Sequence, residues 1–290
     1  MSGNCQKPAF SVAKTGSSGT PLQTSRPCGR WVIGGFSGAT NKTRPPTWKF
    51  FLEKAIKKIP KRLQPSLKEL VQQSNLLLAC DVIREEMGRD KFKQLLRESF
   101  HDPGFSASEV HKHLLQLDAR FTITPNFDAI YDTYVKKETG NTILVKEYYD
   151  DDVAEALRSK YPVVVKLHGS ITTPDKLIFT ASDYAKARSQ SSAVYDLVRA
   201  LLCTHTFLFL GCGLDDPDIR LLLEDYRYKH AIGGSHYFMI SKGSLHPDVL
   251  KVVGSSLNLN FIQYENSAGD HKNFGVALND LVTKVNLARN

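Results

Sequence analysis

The chain has little cysteine and no long apolar run, and each shortage excludes a class of protein. Its five cysteines (Cys5, Cys28, Cys80, Cys203, Cys212) are odd in number and include no C-x-x-C pair, which argues against a disulfide framework and a four-cysteine zinc site. They read as reduced thiols. Its apolar stretches, such as those around 163–167 and 206–210, fall far short of the roughly 20 residues that cross a bilayer. No basic-then-apolar leader opens the sequence, so residence in the cytoplasm is expected. What is present, 290 residues at 41 % apolar content, suffices for one sizeable core or two modest ones and excludes a disordered chain.

Acidic residues are missing from the first 30 positions, which hold Lys7, Lys14, Arg26 and Arg30. Half of the formal net charge of +8 therefore sits there. The same segment is rich in Gly, Ser, Thr, Pro and Gln and cannot bury enough surface to offset its ordering entropy, so residues 1–30 are expected to form a flexible arm. A second basic block, Lys42, Arg44, Lys49, Lys54, Lys57, Lys58, Lys61 and Arg62, is opposed only by Glu53. Such a face suits nucleic acid or ligand phosphates, and a solvated helix face is the favoured reading.

Residues 30–36 read as a strand ending in the small-residue turn Ser37-Gly38-Ala39-Thr40. From Trp48 the apolar positions take helical spacing, with Thr47 as the expected cap. Residues 60–118 show no strand pattern and predict a helical insertion, with capping boxes at Ser66/Glu69 and Ser106/Glu109 and a stop at Gly88. Thereafter strands alternate with helices: strands at 121–124, 142–145, 163–167, 206–210, 236–240 and 258–264, and helices from about 127, at 153–158, 192–202, 217–228 and 274–285. No internal repeat is evident. The pattern predicts an α/β, Rossmann-like, doubly wound and mostly parallel sheet spanning 31–290.

In such a sheet the ligand crevice lies beyond the carboxyl ends of the strands, so residues just after each strand meet in space. Four of these positions carry unusual chemistry: Ser37 to Thr40, Pro125-Asn126-Phe127-Asp128, His168-Gly169-Ser170, and Gly211-Cys212-Gly213-Leu214-Asp215. Singly, each has a plain structural reading as a turn, a helix cap or a satisfied histidine. Their conjunction points to a shared site.

These residues carry a resemblance. Thr124-Pro125-Asn126-Phe127-Asp128 is similar to the T-x-N-[YF]-D box of the sirtuin-like NAD-consuming family, and particularly of its bacterial anti-phage branch. Lys166-Leu167-His168-Gly169-Ser170 resembles its K-L-H-G-S box, Thr180 to Tyr184 its T-x-x-D-Y, and Phe209 to Arg220 its late F-L-G segment. The first motif departs: aligning on Pro46 and Trp48 puts Phe36 at the first Gly of G-A-G-[AV]-S, Gly38 at the second and Thr40 at the Ser. The cysteine module that binds zinc in protein-deacetylating sirtuins has no counterpart, so no zinc is expected.

The resemblance implies an NAD⁺ glycohydrolase that uses NAD⁺ as substrate, with Asn126 and His168 catalytic. Gly38, Ala39, Thr40, Asp128, Ser170, Gly211, Gly213 and Leu214 would line the dinucleotide, while the role of Tyr184 stays open. It also implies anti-phage action by NAD⁺ depletion, a homo-oligomer, and control by a hexameric HerA-type ATPase supplied in trans. Alternatives are a non-catalytic subunit that binds NAD or ADP-ribose, and an NAD-dependent deacylase.

Overall fold

The structure, a computed structural model, describes residues 30–34, 45–190, 192–214, 216–230 and 233–289. The expected arm lies outside the described residues except for Arg30, as do Gly38, Ala39, Thr40 and the rest of the first motif up to residue 44. Among the described residues, seven strands form one sheet: β1 (Arg30–Gly34), β2 (Phe121–Thr124), β3 (Leu144–Glu147), β4 (Val163–Lys166), β5 (Thr206–Leu210), β6 (His236–Ser241) and β7 (Leu259–Tyr264). Their order is β3-β4-β2-β1-β5-β6-β7, and every neighbouring pair is parallel. The Rossmann-like, doubly wound α/β architecture read from the sequence is the one observed.

The helices are α1 (Trp48–Ile56), α2 (Gln64–Gln72), α3 (Leu76–Met87), α4 (Arg89–Phe100), α5 (Glu109–Gln116), α6 (Ile130–Glu138), α7 (Val153–Arg158), α8 (Ala181–Gln190), α9 (Ser192–Thr204), α10 (Pro217–Lys229), α11 (Pro247–Leu257) and α12 (Lys272–Leu287). Side chains of a strand alternate between faces, and the central strands are buried on both. Phe121, Ile123, Val163 and Val165 meet α7, α9 and α10 through residues such as Val153, Val198 and Ile219. On the opposite face Val164 meets Val135 of α6, while Leu210 and Met239 meet Leu114 of α5 and Leu278 of α12.

Helices α1 to α4 form a separate module with its own core of Phe51, Leu52, Ile56, Leu67, Cys80, Ile83, Phe92 and Leu96. Phe127, Ile171, Leu177 and Phe179, all from loops beyond β2 and β4, complete that core. Trp48 stacks on Phe179 with ring centroids 4.4 Å apart and planes 9° from parallel. Thr47 caps α1 as expected, accepting from the Phe50 N–H at 3.3 Å. Gly88 ends α3 at φ 82°, a left-handed setting that glycine adopts without penalty.

Several local expectations are corrected. The Ser66/Glu69 capping box does not form, because α2 opens at Gln64 with Pro65 in its first turn, where a missing N–H costs nothing. The Ser106/Glu109 box is displaced to Ser108, whose N–H donates to His111 Nδ1 at 3.0 Å. The imidazole takes the place of a glutamate, and burial pulls its pKa down to about 4. The helix expected from Phe127 begins at Ile130, since Phe127 is committed to the module's core and Asp128 Oδ1 accepts the Ile130 N–H at 2.9 Å. The strand expected from residue 142 starts at Leu144, after a turn with Asn141 at φ 62°. Helices α8 and α11 have no counterpart in the sequence reading.

Candidate active site

The strand order sets β4, β2, β1 and β5 side by side and parallel, so their carboxyl ends share one edge. Beyond β1 the chain has moved to β2 on one side and later crosses to β5 on the other. This reversal is where open α/β sheets place ligands. Thr124 pairs in register with Lys166, and Asn126 and His168 each follow two residues later. The two loops are tied together by Leu167 N–H to Thr124 O at 2.9 Å and by Ile171 N–H to Phe127 O at 2.7 Å.

A buried lysine lies beneath them. Lys166 is 1 % exposed at the end of an otherwise apolar strand, where an unpaired charge would be prohibitive. Its Nζ donates to the backbone oxygen of Asp128 at 2.6 Å and pairs closely with the carboxylate of Asp132 in α6. One cation thus ties the loop carrying Asn126 to both β4 and α6. Asp128 is half-buried, and loss of water raises its carboxyl from the ordinary 3.8 to about 6, against the opposing pull of the Ile130 N–H and of Lys166.

His168 is 3 % exposed. The Tyr184 hydroxyl sits 3.4 Å from its Nδ1, and the two rings meet edge to face with centroids 4.8 Å apart. Gly169 follows at φ 75°, and a Cβ there would lie 2.7 Å from the backbone oxygen of Lys176, so only glycine fits this turn. Ser170 is buried, with its hydroxyl 2.8 Å from that of Thr172. Gly211, at φ 60°, and Gly213 are exposed at the end of β5, and Leu214 packs on the sheet core. Cys212 is held as a neutral thiol by burial.

The Thr180-to-Asp183 stretch of the T-x-x-D-Y motif has a local explanation. Asp183 N–H donates to Thr180 Oγ1 at 3.2 Å and Thr180 N–H to Asp183 Oδ2 at 3.1 Å, a capping box that opens α8 and aims Tyr184 at His168. Sequence reasoning missed the roles of Lys166, Asp132 and Asp183. A lysine inside an apolar strand and an acid in the first turn of α6 were the available signals. Among the described residues, no cluster of three or more His, Cys, Asp or Glu side chains forms a metal site.

The region from residue 120 to 262, which holds the Asn126 box, the His168 box and the late glycine segment, matches the family model of the SIR2-like domain. The chain is 27 % identical over 160 residues to the NAD(+) hydrolase ThsA of Enterococcus faecium, covering 54 % of this chain and 33 % of that protein. It is 27 % identical over 198 residues to the NAD(+) hydrolase ThsA of Bacillus cereus (strain MSX-D12), covering 66 % and 41 %. It is also 27 % identical over 139 residues to the defense-associated sirtuin 2 of Bacillus subtilis, covering 47 % and 13 %. The chain therefore spans well under half the length of these relatives. Its fold is Rossmann-like, and the region from 120 to 262 is similar to the SIR2-like domain.

Proposed function

We propose that this chain is an NAD⁺ glycohydrolase that cleaves the bond between nicotinamide and ribose, and that it serves bacterial anti-phage defence by depleting NAD⁺. The observation that carries the reading is the register of β2 on β4, from which an amide and an imidazole emerge two residues past paired positions at a topological switch point. The ThsA relatives, named as NAD(+) hydrolases, support the same chemistry.

Nicotinamide departs from a cationic ring as a neutral one, so the leaving group needs little help. The demand lies on the sugar, whose oxocarbenium-like transition state needs stabilisation and a water on the opposite face. Asn126 holds that water or a ribose hydroxyl, its amide serving as both donor and acceptor. The water oxygen bonds to the anomeric carbon as the carbon–nitrogen bond breaks, and His168 takes the proton. Asp128 orients the loop or a ribose hydroxyl, and Ser170 closes the turn after His168. Gly38, Ala39 and Thr40 offer N–H groups and a hydroxyl to the pyrophosphate, as helix starts do for anions. Gly211 and Gly213 admit the adenosine ribose, with Leu214 against the adenine.

A homo-oligomer controlled by a hexameric HerA-type ATPase in the cytoplasm completes the reading, because an unrestrained hydrolase would kill its host. Among the described residues no helix is long and apolar enough to cross a membrane. The test is chromatography of products from NAD⁺ and the purified chain, with and without that ATPase. Nicotinamide and ADP-ribose in equal amounts are expected. Intact NAD⁺ under both conditions contradicts the proposal.

A further inference from the structure

Helix α3 presents Leu77, Asp81 and Arg84 at spacings of four and three, which puts them on one face. Its other face, through Ala79, Cys80 and Ile83, is buried in the helical module. The first face grips the opening turn of α8. Arg84 Nη1 donates to Asp183 Oδ1 and Oδ2 at 2.7 and 2.8 Å, and its Nη2 donates to Ser182 Oγ at 2.7 Å. Ser182 Oγ in turn donates to Asp81 Oδ1 at 2.6 Å. Leu77 packs beside Ile178, Tyr184, Ala187 and Tyr195. Asp183 thus caps α8 and receives the guanidinium, and the next residue, Tyr184, touches His168.

We infer that Arg84 is a positioning residue for the hydrolysis proposed above. Through Asp183 it fixes the first turn of α8, and through Tyr184 it fixes the ring of His168, so the helical module sets the orientation of the imidazole. The inference rests on that catalytic reading. The contact joins residues 99 positions apart in the chain, and neither Arg84 nor Asp183 belongs to the sheet edge. Any partner that displaced α3 would act on His168 along this path.

Four variants test it: Arg84→Gln, Arg84→Lys, Tyr184→Phe and the double variant Arg84→Gln/Tyr184→Phe. Arg84→Gln and Tyr184→Phe should each lower kcat about tenfold with KM within about twofold, because misplacing a catalytic group costs rate more than binding. Arg84→Lys should recover part of the loss, keeping the charge without the two-pronged geometry. The double variant should lie within about twofold of the worse single one, since both residues act along one path. Glu98→Gln, which breaks the exposed Lys58–Glu98 pair on the same module, should leave kcat unchanged.

The ¹⁵N resonances of the His168 ring are the second readout, which needs no turnover. They should move in Arg84→Gln and in Tyr184→Phe while the melting temperature shows a folded protein. A folded Arg84→Gln variant with native kcat, or with native His168 resonances, overturns the inference. If the unaltered chain releases no nicotinamide, the hydrolase reading fails by itself, and the ring resonances still decide whether Arg84 positions His168.

Discussion

Asp128 carries a carboxyl that burial holds near pH 6, well above its ordinary 3.8, although its Oδ1 accepts the Ile130 N–H. A folded-state pKa above the unfolded one means that the folded chain binds more protons between about pH 4 and 6. The carboxyl therefore costs no stability below about pH 4, weakens the fold progressively as pH rises through that window, and exerts its full penalty above it. Asp128→Asn removes the charge and keeps the acceptor. It should be more stable than the unaltered chain at pH 7.5, by on the order of 1–2 kcal/mol once partial exposure is discounted, and equal to it near pH 4. Urea unfolding at the two pH values measures this, and a variant that is weaker at pH 7.5 contradicts it. Such an energetic penalty beside Asn126 accords with the proposal that Asp128 serves the candidate site.

At the scale of elements, Phe179 joins the helical module to the loops of the site. It is 1 % exposed and lies within ring contact of Trp48, Phe51, Phe92 and Phe127. Phe179→Ala should cost roughly 3–5 kcal/mol in denaturant unfolding, and because Phe127 adjoins Asn126, it should also lower NAD⁺ cleavage. A loss below about 1 kcal/mol would show that the module's core does not depend on it. Elements with a continuous apolar stripe were legible in the sequence: α1, α7, β2 and β5 begin where their periodicity begins. Helix α8 was not, because only Tyr184 and Ala187 among its residues are buried, too thin a stripe to register. Helix α11 was obscured by Gly254 within it. The capping boxes misled because a proline and a histidine served the helix starts instead of the expected glutamates.

Across the whole molecule, the candidate site was legible where a polar residue follows a strand end directly, as with Asn126 after β2 and His168 after β4. Strand order was not readable. Nothing in the composition says that β1 separates β2 from β5, and the Lys166–Asp132 pair and the Arg84–Asp183 contact join positions 34 and 99 residues apart. Their partners are specified by tertiary packing, which a local pattern does not contain. The sheet nevertheless turns the sequence resemblance into a geometric claim, because register brings two motifs to one edge.

That claim is tested most directly by the initial rate of nicotinamide release from NAD⁺ by Asn126→Ala, His168→Ala and the double variant, each verified as folded. If both side chains serve one sugar carbon in one step, each single variant should lose at least about a hundredfold. The double variant should then fall little further, because groups that act as a unit are not additive. Release by either single variant at the unaltered chain's rate would contradict the account.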